Sequence, residues 1–73
     1  MDIRVVFARN LKRYREDRGL TQAALAAAMD VDRAHVSAME RGQQNVTLVT
    51  LGKVADHLGV EPAQLLERVA QGK

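Results

Sequence analysis

Five side chains near the middle of this chain have the chemistry to read the edge of a base pair. If Arg33–Glu40 is helical, Val36 and Met39 form its inner apolar face, and Arg33, Ala34, His35, Ser37 and Ala38 are left outside. A guanidinium can donate two hydrogen bonds to the O6 and N7 of a guanine, and an alanine can meet a thymine methyl. A serine hydroxyl can bond a base or a phosphate. That face has the width and chemistry of a major-groove reader of double-stranded DNA. Plainer roles compete at each position. Arg33 could contact a phosphate, which gives affinity without sequence. Ala34 and Ala38 could be passive helix formers. His35 could meet a phosphate or a base edge, or simply be an exposed histidine. We expect Arg33 at a base edge, because the N-terminal residues of such a helix reach the bases.

No other chemistry competes with this face. His35 and His57 stand 22 apart without a cysteine, so no zinc spacing fits. No glycine-rich phosphate loop or nucleophile motif occurs. His57 reads best as a charge partner for a helix C-terminus. The expectation is a non-enzyme with no metal and no cofactor.

The elements that must position the face follow from local signals. Thr21 can cap a helix over the Ala-rich run Ala23–Met29. Asp30-Val31-Asp32 interrupts that run, and Asp32 is placed to cap the second helix, which stops before Gly42. Two short helices joined by a three- to four-residue turn make a helix-turn-helix over residues 21–42. Leu25, Ala26, Met29, Val31, Val36 and Met39 fall where such a pair packs. Before it, Ile3, Phe7, Leu11 and Tyr14 form one apolar stripe and predict a helix from Ile3 to Asp17, ended by Gly19. After it, Thr47 opens a fourth helix with Leu48, Leu51, Val54, Ala55 and Leu58 inward and Gly59 at its end. Pro62 opens a fifth helix running to about Ala70. The prediction is an all-α fold of five short helices, one domain over residues 1–73, with helices four and five within 47–70.

The chain has 73 residues, a net charge of +2, 47% hydrophobic residues and no cysteine. A chain of this size buries only about 60% of its unfolded surface, so modest stability is expected. No apolar run approaches a membrane span and no secretory signal is visible, which predicts a cytoplasmic protein. The charge is uneven. Arg4, Arg9, Lys12, Arg13, Arg15 and Arg18 face only Asp2, Glu16 and Asp17 in the first 18 residues. A basic end beside a groove-reading helix fits nucleic acid, although most such charge runs are solvated helix faces.

The run Gly19-Leu20-Thr21-Gln22, with Leu25-Ala26, Val31, Val36-Ser37 and Glu40-Arg41-Gly42, resembles the Cro and phage-repressor type of helix-turn-helix domain, the XRE family. Asn45-Val46-Thr47-Leu48, Leu51, Ala55, Leu58-Gly59-Val60 and Pro62 continue the likeness. It covers about Leu11 to Leu66 and implies the lambda-repressor-like DNA-binding fold. Asp32-Arg33, His35-Val36-Ser37, Glu40-Arg41-Gly42 and Asn45 look most like small stand-alone regulators such as the controller proteins of restriction–modification systems. Three positions depart from the family's habit. Asp30 stands where glycine is usual, and Ala24 stands where Glu or Gln would close a capping box. Glu61 replaces a more usual Ser or Asp cap.

The resemblance implies further roles. Thr21 and Gln22, at a helix N-terminus with free N–H groups, should clamp a phosphate. Arg41, Gln43, Gln44 and Asn45 should meet the DNA backbone beyond the reading helix; without the resemblance the Gln-Gln-Asn run is equally an ordinary polar loop. Arg15 should pair with Glu40 and tie helix one to the reader. One such helix reads only a few base pairs, so a homodimer on half-sites about 34 Å apart is expected. Val46, Val49, Leu65, Leu66 and Val69 are the candidate seam, although all of them could instead complete the core. The implied function is a sequence-specific transcription regulator on a palindromic operator, with RNA polymerase as the further partner it would block or recruit. The competing expectation is a protein-interaction module, such as an antitoxin whose DNA binding is autoregulatory. RNA is a poorer candidate because stacking aromatics are missing.

Overall fold

Local capping chemistry starts most of the helices in the computed structural model, which describes residues 1–68. Asp2 opens α1 (Ile3–Asp17), its carboxylate accepting the Arg4 N–H at 3.0 Å. Thr21 opens α2 (Gln22–Met29) by accepting the Ala24 N–H at 3.0 Å. Thr47 opens α4 (Leu48–Leu58) by accepting the Thr50 N–H at 3.1 Å. Each bond satisfies a donor that the helix itself cannot. Asp32 departs from expectation. It precedes α3 (Arg33–Glu40) in extended backbone, but its carboxylate makes no capping bond. The first turn closes through the Asp32 carbonyl, which accepts the His35 N–H at 2.9 Å. Pro62 is the first residue of α5 (Pro62–Leu65), and Gln64 accepts the Glu61 N–H at 2.8 Å. No strand forms among the described residues.

Three helices end by one device. At Gly19, Asp30 and Gly59 the backbone turns left-handed, and the next residue is apolar. The N–H groups of Leu20, Val31 and Val60 then reach back to the Arg15, Ala26 and Ala55 carbonyls at 3.1, 2.9 and 3.0 Å. The three apolar side chains fold onto the core. Asp30 has φ 58° and is the sole non-glycine with positive φ among the described residues. Aspartate tolerates this conformation better than most side chains, so the turn forms without glycine.

α2 packs on α3, α1 packs against both α3 and α5, and α4 closes the core against α2 and α5. Leu11, Leu25, Val36, Val54 and Leu65 have no exposed surface. Two expected core residues stand outside: Ile3 is 47% exposed and Leu48 84%. Each is the first residue of its helix. The fifth helix is also shorter than expected, ending at Leu65. The buried Asn10 side chain explains the stop. Its amide donates to the Leu65 and Glu67 carbonyls at 2.9 and 2.8 Å, holding the chain along α1 instead of in a further helical turn. The expected helical stretch at Val69 and Ala70 lies outside the described residues.

Candidate nucleic-acid interface

The α3 helix has two faces with different surroundings. Val36 and Met39 are buried, which fixes the rotation of α3 about its axis. Arg33 and Ala34 are exposed, and His35, Ser37 and Ala38 are half-buried. The five base-contact candidates therefore belong to one helix, with Arg33, Ala34, Ser37 and Ala38 on its outer side at helical spacing. Arg33 is the first residue of α3 and is exposed.

Two attachments hold this helix against α1. The first is electrostatic. Arg15 donates from Nε to Glu40 Oε2 at 2.6 Å and from Nη2 to Glu40 Oε1 at 3.0 Å. Its Nη1 donates to the Leu20 carbonyl at 2.7 Å. Gln22 Nε2 donates to Glu40 Oε1 at 3.0 Å. One carboxylate thus joins α1, α2 and the end of α3. The side chains of the pair are only 9% and 5% exposed, and the Arg15–Glu40 bond raises the already high pKa of the guanidinium. A two-bond Arg–carboxylate pair of this kind constrains orientation as well as distance. The second attachment is steric. At Gly42, just past α3, a Cβ would stand 3.4 Å from both Val5 Cα and Cγ2, and φ is 74°. Those distances are van der Waals contact, so it is the left-handed backbone that favours glycine at this packing point with α1.

The phosphate-contact candidates are placed as follows. Thr21 spends a lone pair on its cap but keeps its hydroxyl proton for an outside acceptor. Gln22 is turned toward Glu40, which puts the start of α2 beside the end of α3; one amide N–H remains for a phosphate. Arg41 is exposed, and its Nη1 donates to Ser37 Oγ at 2.9 Å. Gln43, Gln44 and Asn45 are exposed beyond it. Arg4 reaches this loop from α1, with Nη1 at 3.5 Å from both the Gln43 carbonyl and Asn45 Oδ1. The ion pair of Arg4 with Asp2 at 2.9 Å holds it there.

The residues expected at a dimer seam separate into three groups. Leu65 belongs to the monomer core with no exposed surface, so it is withdrawn from the seam. Val46 is half-buried against the core. Val49 and Leu66 are exposed, and Val69 lies outside the described residues. Ile3 and Leu48, both assigned to the core from sequence, line an open apolar groove with Phe7, Leu51 and Leu66.

Three residues that matter escaped the sequence reading. Arg4 braces the loop after α3, and Asn10 anchors the C-terminal stretch. Arg18 donates from Nε to the Leu58 carbonyl while its guanidinium lies 5.3 Å from the Tyr14 ring centre. Asn10 carried a usable signal: asparagine is a poor helix-interior residue, and it sits between apolar positions of a strong helix. Arg4 and Arg18 carried none for their tertiary bonds, because the acceptors in those bonds are 39 to 41 residues away along the chain.

Two short helices, α2 and α3, packed on each other across the Asp30–Asp32 turn, define a helix-turn-helix protein. A family model described as helix-turn-helix matches residues 11–65, and the chain belongs to that family. Control protein C.MunI of a Mycoplasma species is 36% identical over 69 residues, which is 93% of each chain. A crystal structure of the hypothetical transcription factor NHTF from Neisseria aligns with a TM-score of 0.87 at 41% identity, over 90% of this chain and 76% of that one. The restriction-modification controller protein C.AhdI from Aeromonas hydrophila aligns with a TM-score of 0.80 at 42% identity, over 85% and 94%.

Proposed function

We propose that this chain is a sequence-specific DNA-binding transcription regulator of the controller type, acting as a homodimer on a palindromic operator. The observation that carries the reading is the orientation of α3. Glu40 is clamped by Arg15 and Gln22, so the strip from Arg33 to Ala38 is presented as a rigid edge. In the major groove Arg33 would take a guanine, Ala34 and Ala38 would meet methyl groups, and Ser37 would add a polar contact, with the half-buried His35 at the margin of the strip. Thr21, Gln22 and the Gln43–Asn45 loop would meet phosphates, supplying salt-dependent affinity. The relatives named as controller proteins support this role. The apolar groove of Ile3, Leu48 and Leu66, with Val49 on the same helix as Leu48, is the surface we assign to the second copy. Occupying the operator would block or recruit RNA polymerase.

The test is selection of duplexes from a random pool at near-physiological salt, with native protein and Arg33→Ala in parallel. A palindromic motif that loses its preference at one position in the variant supports the reading. A native protein that enriches no motif and binds DNA only in a salt-sensitive manner overturns it and points to a protein partner.

A further inference from the structure

We propose that Arg41, which the sequence places among the phosphate contacts, is a second base-reading residue, positioned by the Ser37 hydroxyl to take a guanine in the major groove. The inference rests on the DNA-reading role of α3.

Helical spacing puts Arg33, Ser37 and Arg41 in one row, four residues apart. Arg41 could point away from the helix toward a phosphate. Instead its guanidinium is folded back along the row, with Nη1 donating to Ser37 Oγ at 2.9 Å. That sets the charge beside Ser37 on the outer strip. The neighbouring outer side chains, Ala34 and Ala38, are single methyl groups, so nothing large contests the space.

Charge partners could have drawn Arg41 elsewhere. Glu40, its neighbour in the chain, is committed to Arg15 and Gln22. Among the described residues no carboxylate pairs with Arg41. A guanidinium carries five N–H donors, and Ser37 uses one. Two parallel donors remain available to match the O6 and N7 of guanine. Ser37 accepts from Arg41 and keeps its own proton to donate. The pair can therefore act as one reading unit, with Ser37 as the positioning residue.

The substitution that separates base from phosphate is Arg41→Lys, which keeps the charge and loses the two-donor fork. Arg41 is exposed, so the fold does not depend on it. Duplex selection would be run on native protein, Arg41→Lys and Ser37→Ala, with affinities measured across a salt series. The expected result is a native motif with a G·C pair whose preference falls about tenfold or more in Arg41→Lys. The other positions and the salt slope would stay unchanged, and Ser37→Ala would weaken the same position. An Arg41→Lys motif as sharp as the native one at every position overturns the inference and returns Arg41 to the phosphates. If the native protein enriches no motif, the DNA-reading role itself fails and this inference fails with it.

Discussion

Removing Glu40 should unfold much of the margin on which this fold stands. The carboxylate accepts three hydrogen bonds, two from Arg15 and one from Gln22, in a site almost closed to water. Glu40→Ala leaves the Arg15 guanidinium with the Leu20 carbonyl as its remaining buried partner. Breaking a buried pair by deleting one member costs about 3–5 kcal/mol, because the other charge stays desolvated and unpaired. A domain this small has a total stability of roughly 4–11 kcal/mol. At about 4–8 °C per kcal/mol, the melting temperature should fall by at least about 12 °C. Arg15→Ala should cost about as much. The double variant should cost clearly less than the sum, with a coupling of about 2–3 kcal/mol, since the second deletion removes a charge the first had already orphaned. Urea unfolding followed by circular dichroism at 222 nm, on all four proteins, measures this directly. Single-variant costs that add within about 0.5 kcal/mol would refute the argument. So would a Glu40→Ala protein as stable as the native one.

Three further predictions use other parts of the structure. Leu48→Glu places a charge on a residue that is 84% exposed, so folding should hold while self-association weakens by about a hundredfold or more; light scattering over a concentration series reads this, and an unchanged dimer constant would exclude the groove as the seam. Asn10→Ala strands the Leu65 and Glu67 carbonyls and should cost about 2–3 kcal/mol, with amide hydrogen exchange rising first in the stretch after α5; uniform exchange along the chain would argue against a local anchor. Asp30→Gly relieves a left-handed aspartate and should raise stability by up to about 1 kcal/mol, whereas Asp30→Val should lower it by more; the opposite order in thermal melts would mean that the carboxylate has a role the turn geometry does not capture.

What the chain determines locally was legible in its residues. The starts of α2 and α4 follow from the Thr21 and Thr47 hydroxyls, and the ends at Gly19, Asp30 and Gly59 from left-handed turn residues and apolar spacing. Those signals act over a few residues and need no partner. The outer strip of α3 was legible for the same reason: once Val36 and Met39 are inside, helical geometry leaves Arg33, Ala34, Ser37 and Ala38 outside. The Arg15–Glu40 pairing was legible through family resemblance alone, since nothing in a 25-residue separation identifies two charges as partners. Tertiary structure decided the remainder. Whether Ile3, Leu48 and Leu65 lie in or out depends on how far each helix overlaps its neighbours, and periodicity carries no such information. The early end of α5 depends on an amide donated across 55 residues from α1. The turn of Gln22 toward Glu40, and of Arg41 toward Ser37, depends on which acceptors the packed helices bring within 3.0 Å of those donors. Composition names the groups that can bond, but only packing sets which of them meet.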